Sequence, residues 1–470
     1  MARGCPAGDA MNVGMKPADL LSHRLFSIFW LLLLSAYVLA GAPLASFHGD
    51  EAMQIWMSHD YATAFIYGEP QRLMSAGPFD IDTEAQLRIL NGSINRYAIG
   101  LSWHLAGFTN GDLPAPPGWD WGLDYDTNAA VGHRPTDALL AVSRVSSALF
   151  LALSVWVMFG IGWQFGGSLV AYLASGLYAL NPVILLNGRR AMMEGSLLLF
   201  GLLAILVAVM IAHQRAQGRR ESWRWWAALT LAGGLALASK HSGAVFVGGA
   251  FGWVLLAELI GRRWRALPLT LAKLALSGGL VVALFIALSP ALWYDPPARL
   301  QDLLAVREQL IDIQVRAHTE GAMPLAQRIE FIVTQPFLMP AQHFEVAAWA
   351  QYEPITREVD RYMASPLSGV QFGPVFGGLL TLLVPVGMIA ALRRGASARA
   401  GIFAWLALTL VMLLLNPLPW QRYYLPLIPI FTLFASLGAQ TLLPGFVHRL
   451  KQHPTKEPLV SDGVQPQTGK

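Results

Sequence analysis

LFSIFWLLLLSAYVLAGAPLASFHGDEAMQIW, residues 25–56, decides the class of this protein. It runs apolar from Leu25 to Ala45 and then meets two adjacent acids, Asp50 and Glu51. A helix needs about 20 mainly apolar residues to cross the hydrocarbon core of a bilayer. The run is too long for the core of a signal peptide, and FHGDE stands where a small-residue cleavage site would be needed. A membrane span therefore ends on paired carboxylates at the boundary between lipid and water.

Composition agrees. Of 470 residues, 54% are hydrophobic and only 13% charged, against roughly 25% charged in soluble domains. The single cysteine, Cys5, excludes an internal disulfide framework and a thiolate metal cluster. The same apolar window finds ten candidate spans, at 25–45, 138–162, 167–186, 195–213, 225–239, 243–260, 267–289, 373–392, 401–416 and 423–443. Residues 1–24 read as a cytosolic tail, with Met11 and Met15 as alternative starts, and 444–470 as a second tail.

The connections set the sidedness. QRAQGRRESWR (214–224), GRRWR (261–265) and RRGASAR (393–399) are short, arginine-rich and fall on one side if the spans alternate. The excess of positive charge makes that side cytoplasmic. Both termini are then inside, and two long loops, 46–136 and 290–371, lie outside. Within them, 83–107 and 300–318 carry apolar residues at helical spacing and predict helices lying along the membrane surface. Residues 107–128, rich in Pro, Gly and Asp, read as an ordered loop. Asp80 and Asp82 in PFDIDTE read as a helix start.

Ionisable residues from distant parts of the chain collect at the outer ends of the spans. They are Asp50 and Glu51, then Arg189, Arg190 and Glu194, then Lys240 and His241, then Asp295, then Arg422, Tyr423 and Tyr424. Such groups at membrane depth are costly and mark sites or ion paths. Two blander readings stand beside this one. Flanking cations snorkel to the interface, and an acidic pair is an ordinary helix cap. A transporter or flippase is the alternative class. Its sites sit at the bilayer midplane between repeated halves, whereas these charges gather on one face.

Five patches carry a resemblance: HGDEA (48–52), LNPVILLNGRRAMMEGSLLLF (180–200), GLALASKHSG (234–243), LSPALWYDPP (288–297) and PWQRYYLPLIPIF (419–431). In order and sidedness they resemble the polyprenyl-phosphate-sugar-dependent glycosyltransferases of the GT-C fold. That group includes protein O-mannosyltransferases and the aminoarabinose transferases that modify lipid A. The resemblance implies an all-α bundle of about ten spans over 25–443 in a cytoplasmic (inner) membrane, with its site facing the periplasm or exterior. It implies transfer of a sugar from a polyprenyl-phosphate donor to a hydroxyl on protein, lipid or polysaccharide, with inversion at the anomeric carbon. A site on that face is also out of reach of cytosolic nucleotide sugars. Three positions depart from the pattern: Glu194 stands where many relatives have Asp, Gln54 where an aromatic often follows the acidic pair, and His241 where Tyr or Gly is common.

The residue types suit that chemistry. A carboxylate opposite the leaving group takes the acceptor proton, and Asp50 is assigned that task. Glu51 is expected to orient the acceptor or to hold a cation of the cluster. Cations in a poorly solvated site stabilise the departing phosphate, and Arg422, Lys240 and Arg190 are assigned to it in that order. Arg189 is expected to be structural. Glu194, Tyr423, Asp295 and His241 are supporting residues, with Glu194 four positions after Arg190 and so able to pair with it on a helix. Trp119, Trp121 and Tyr125, among Asp120, Asp124 and Asp126, fit an interfacial belt as well as a sugar platform. No zinc-binding spacing occurs, and no metal or other cofactor is expected to be required.

Overall fold

Apolar runs rich in leucine and alanine have one good way to satisfy their backbone in lipid, which is the helix. The computed structural model describes residues 17–80, 83–317, 321–393 and 398–452, and no strand occurs among them. The helices are α1 (Pro17–Ala40), α2 (Gly49–Met57), α3 (His59–Tyr61), α4 (Glu84–Leu90), α5 (Ser93–Leu105), α6 (Tyr125–Ala130), α7 (Asp137–Gly166), α8 (Ser168–Ala179), α9 (Pro182–Arg189) and α10 (Glu194–Ala216). They continue as α11 (Trp223–Ser239), α12 (Gly243–Ile260), α13 (Leu267–Leu288), α14 (Pro296–Ala317), α15 (Leu325–Thr334), α16 (Glu353–Ala364), α17 (Gly373–Ala391), α18 (Ile402–Leu415) and α19 (Leu427–Gln452). Cys5 and Asp82 lie outside the described residues, as do the alternative starts.

Each of the ten expected spans contains helix, but ten continuous crossings are not what is found. Among the described residues, six helices are long and apolar enough to cross a membrane, seven if α8 and α9 count as one. Those two are bent by 60° at Leu180–Asn181, where the Asn181 side chain caps α9 by accepting from the backbone N–H of Val183 and Ile184. The helix α18 has 14 residues and α11 has 17, both short for a full crossing. The first helix also begins at Pro17, earlier than the expected 25. Apolar side chains point outward in rows, including Leu269, Leu276 and Leu280 on α13 and Val375, Leu379 and Leu382 on α17. Water would penalise such rows; lipid does not.

The most buried of the six is α10, which packs against α7, α11 and α12. Close approach of backbones holds other pairs. A Cβ on Gly387 of α17 would lie 1.9 Å from the Phe434 carbonyl oxygen of α19, and one on Gly438 of α19 would lie 2.3 Å from that of Leu383. Small residues at crossings are how helices gain contact in lipid, where apolar burial supplies little.

The two ends of the bundle differ in character. At one end, Arg215 reaches Glu221 at 2.6 Å and Glu258 at 2.7 Å, and Lys273 reaches Glu221 at 2.6 Å. This cluster ties the ends of α10 and α12 to the starts of α11 and α13. Trp253 near the end of α12 donates to the Ala398 carbonyl at 2.7 Å, so all three arginine-rich joints share that end. The opposite end carries α2 to α6 and α14 to α16. The expected surface helix 83–107 is two, α4 and α5, parted at Asn91–Gly92. The break brings Gly92 so close to the end of α11 that a Cβ there would lie 2.0 Å from the Ser239 carbonyl oxygen. The first outer loop is thereby seated beside Lys240.

If the α17–α19 contact holds the bundle, Gly387→Ala should destabilise it by the ~1–3 kcal/mol that overpacking costs, seen as a lower midpoint of thermal unfolding in detergent. Gly378→Ala, on the same helix with nothing within 4 Å of an added Cβ, should leave it unchanged.

Candidate active site

Asp50 and Glu51 are the first acids of α2, and their helical neighbourhood sends them apart. His48 is the N-cap. Its Nδ1 accepts from the Asp50 N–H at 3.1 Å, and its own N–H donates to Glu51 Oε2 at 3.1 Å. Glu51 is fully buried and both its oxygens are taken: Arg144 of α7 donates to each at 2.7 Å, and the Ala191 N–H donates to Oε1 at 2.8 Å. Burial alone would push the Glu51 carboxyl up, but Arg144 holds it below the usual glutamate range.

Asp50 faces the other way, into a cavity of about 710 Å³. Arg422, on the one-turn helix Gln421–Tyr424, donates to Asp50 Oδ2. The same guanidinium lies with its Nε 3.3 Å from Glu345 Oε1, and Glu345 Oε2 is 2.5 Å from His48 Nε2. Burial pushes the Asp50 carboxyl up and the Glu345 charge adds to that. The pull of Arg422 and His48 is greater, and the carboxyl stands below its ordinary range. Glu345 is held far below by Arg422 and His48 against the same burial.

The second ion pair of the cavity is Lys240 Nζ to Glu194 Oε1, at 2.6 Å. Lys240 terminates α11 and Glu194 begins α10, so the pair bridges two helix ends. Its ammonium also lies 5.9 Å from the centre of the Tyr423 ring, which stacks on Trp420 at 5.8 Å. His241 lines the same wall. Burial, with Arg307 and Lys240 adding to it, pushes its imidazole down to about 3, so the ring is neutral at neutral pH. Arg307 of α14 lines the cavity as well, its NH2 donating to the Leu90 carbonyl at 3.1 Å. Leu310 and Ile311 of α14 and Met412 and Leu415 of α18 give the space an apolar side.

The cavity thus brings together Asp50, Arg422, Lys240, Glu194, Tyr423 and His241 of the expected residues. Three others lie elsewhere. Glu51 stands behind Asp50 with both its oxygens committed, so it reaches neither acceptor nor donor. Arg190 is buried away from the cavity, donating to the Ser46 carbonyl and hydroxyl at 3.0 Å and to the His343 carbonyl at 2.6 Å. It is Lys240, not Arg190, that pairs with Glu194, because α9 ends at Arg189 and no helix runs through 190–194 to set the four-residue spacing. Asp295 is exposed and accepts from the Ala298 N–H at the start of α14. Arg189, structural as expected, donates to the Val38, Tyr37 and Leu367 carbonyls and to the Tyr362 hydroxyl.

Sequence reasoning missed Glu345, His48 and Arg307. Glu345 sits in a loop with no pattern to mark it, and His48 belongs to the HGDEA patch but was assigned no role there. Arg307 lay within a helix recognised only as amphipathic. Trp121 proves to line the cavity, backed by Trp349 at 5.3 Å, while Trp119 is buried. The carboxyl of Asp124 caps α6. Among the described residues, His59, Asp60 and Glu84 place ligand atoms within 4.8 Å of one another. Arg88 donates to both acids, at 2.8 and 2.5 Å, so that cluster is already an ion-pair network.

Residues 124–294 match the family model for dolichyl-phosphate-mannose-protein mannosyltransferases. No curated protein matches the chain by sequence. The crystal structure of ArnT from Cupriavidus metallidurans bound to undecaprenyl phosphate aligns over 90% of this chain with a TM-score of 0.53 at 11% identity. The fold is of the GT-C type. The apo structure of the Archaeoglobus fulgidus oligosaccharyltransferase aligns over 91% of the chain, with a TM-score of 0.50 and 12% identity. The chain spans 62% of the first of these GT-C structures and 52% of the second.

Breaking a buried ion pair from one side costs about 3–5 kcal/mol. Glu51→Gln should therefore lower the unfolding midpoint at neutral pH. Asp50→Asn should lower it much less, since Glu345 still pairs Arg422. The Glu51 carboxyl is depressed in the fold, so its contribution is present above the ordinary glutamate value and is lost as pH falls through the lower folded one. Unfolding midpoints followed into acid should show the parent and Glu51→Gln converging.

Proposed function

We propose that this chain is a membrane glycosyltransferase that moves a sugar from a polyprenyl-phosphate donor to the hydroxyl of a protein, lipid or polysaccharide acceptor. The observation that carries this reading is the single cavity that joins the Asp50 carboxylate to Arg422, Lys240 and Arg307 beside an apolar wall. A phosphate suits the cations and a lipid chain suits the wall formed by α14 and α18. The family-model match over 124–294 supports the same class. The catalytic unit is the bundle 25–443, with external loops 46–136 and 290–371. The arginine-rich end faces the cytosol of an inner membrane, both termini lie on that side, and the cavity opens to the periplasm or exterior.

In the reaction the acceptor oxygen attacks the anomeric carbon as the bond from that carbon to the phosphate oxygen breaks. The acceptor proton passes to Asp50, and polyprenyl phosphate leaves with the electron pair. Attack from the face opposite the phosphate inverts the anomeric carbon. Arg422 and Lys240 hold the phosphate and stabilise the charge it gains. Arg307 takes the third cationic place expected of Arg190. Glu51 and Arg190 anchor the outer loops instead. Trp121, half-exposed where the cavity opens, offers its face to the acceptor.

Purified protein in lipid, given radiolabelled polyprenyl-phosphate sugars and a membrane extract, tests the proposal by transfer of label out of the lipid carrier. Asp50→Asn should bind donor and lose about 10²- to 10⁴-fold in rate, the worth of a positioned base. Arg422→Ala should lose donor affinity as well. Because the Asp50 carboxyl is held below its ordinary range, it is ionised throughout pH 5–8, and kcat/KM should show no acid limb from it in that window. Failure of the parent to bind any donor would overturn the proposal in favour of transport.

A further inference from the structure

The α10–α11 and α12–α13 joints lie side by side at the arginine-rich end because one guanidinium holds both. Arg215 donates to Glu221 Oε1 of the first joint at 2.6 Å and to Glu258 Oε1, beside the second, at 2.7 Å. Arg263 reaches the same Glu258 oxygen at 3.5 Å, and Lys273 reaches Glu221 at 2.6 Å. Glu221 and Glu258 are the only acids between residues 194 and 295. Both are therefore committed inside this network. Arg219, Arg220 and Arg224 flank Glu221, and Arg262 and Arg265 flank Arg263. All five are exposed, and none of their side chains has an acid partner among the described residues. Uncompensated cations from two joints thus share one surface.

The helix ends do not account for them. Cations complement helix C-termini, but Arg224 stands in the first turn of α11, where the dipole favours an acid. The second joint also accepts strain to carry an arginine. In α10 the Gly218 N–H donates to the Arg215 carbonyl and the Arg219 N–H to that of Gln214. In α12 the Arg262 N–H donates to the Leu259 carbonyl and the Arg263 N–H to that of Glu258. This closure places one residue in the left-handed region, which is usually glycine. The first joint uses Gly218, at φ 70°, whereas the second uses Arg262, at φ 52°, although Gly261 is adjacent. A side chain there is uncommon and unfavourable. What the position gains is a cation on the surface of the joint.

The surroundings identify what these cations meet. Trp223 is 74% and Trp264 60% exposed, one beside each set of arginines. From Arg265 the chain enters α13, whose Leu269, Leu271 and Leu276 face outward. Indole rings set among cations and continuous with a lipid-facing row fit the headgroup level of a bilayer. We propose that the two joints form one docking surface for the phosphates of anionic phospholipid headgroups, with Trp223 and Trp264 seated at the headgroup boundary. The surface lies at the opposite end of the bundle from the cavity and does not depend on the reaction proposed above. It also differs from the charge bias that orients a chain, which needs no contact with any lipid in the folded protein. A docking surface is local and saturable, and it discriminates between headgroups.

Full-length protein stripped of lipid in an uncharged detergent tests it. Phosphatidylglycerol or phosphatidylcholine is titrated in, and the complexes are counted by native mass spectrometry. An arginine near an anionic surface strengthens binding roughly fivefold. The parent should prefer phosphatidylglycerol at least tenfold. Arg220→Gln with Arg262→Gln, one from each joint, should lose about tenfold or more in phosphatidylglycerol affinity and none for phosphatidylcholine. Arg219→Gln with Arg265→Gln should do the same and serves where the first pair fails to fold. Arg24→Gln with Arg393→Gln removes equal charge outside the patch and should change neither affinity. The proposal is overturned if the parent binds both lipids alike, or if the patch variants keep the preference, which would place it in the cavity. It is overturned equally if the control pair loses the preference to the same extent, or if free glycerol phosphate competes as well as the lipid.

Discussion

The Glu51–Arg144 pair fixes where everything else at its end of the bundle can be. Its carboxylate joins α2 to α7, takes the Ala191 N–H from the α9–α10 joint and closes the capping box at His48. A charge taken out of water is tolerable only when its partners are this complete. With Glu51 locked inward, α2 has no freedom to turn about its axis. Successive residues on a helix are about 100° apart, so the residue before Glu51 must leave that core. Asp50 enters the cavity because Glu51 does not. The order of the two acids is therefore as consequential as their presence.

The same rule governs the cavity itself. Asp50 with Arg422 and Glu194 with Lys240 are ion pairs, and Arg422 has Glu345 as a second acid. An empty cavity with unpaired cations would be costly in a fold so poor in water. Under the proposed reaction a donor phosphate replaces one partner of Arg422, and the exchange conserves pairing. Glu345 is buried behind the arginine, tied to His48 and outside the cavity, so the partner that gives way is Asp50. A carboxylate released from its arginine is a stronger base than the paired one. Donor binding and activation of the acceptor are then linked through a single guanidinium.

Much of the fold was legible in the sequence because lipid imposes a composition that can be counted. The runs 138–162, 195–213, 243–260 and 267–289 lie within α7, α10 and α12 and along α13 almost to the residue. The bend between α8 and α9 was less visible. LNP punctuates an otherwise apolar stretch, and a window of 20 residues averages over it. The site was legible where a charge interrupted an apolar run: Asp50, Glu194, Lys240 and Arg422 each do so. Arg190 met the same criterion and misled, because adjacent arginines give no hint of which way each leaves the chain. Arg307 lies on a helix with a charge-rich polar face, where one more cation carries no contrast, and Glu345, though the only acid between Glu330 and Glu353, lies on a loop with no periodicity to show which way it faces. Their roles depend on tertiary packing alone.

The two ends of the bundle use charge for opposite purposes. At the arginine-rich end, Arg215, Glu221, Glu258 and Lys273 bond chiefly to one another, and Arg215 and Lys273 also lie within 5.6 Å of the Trp226 ring centre. That cluster holds four helices together and opens on no described cavity residue. At the other end the ion pairs Asp50–Arg422 and Glu194–Lys240 line an open cavity together with Arg307. Under the proposed reaction, the kind of ion pair that only ties helices together at the first end is, at the second, open to exchange with a phosphate.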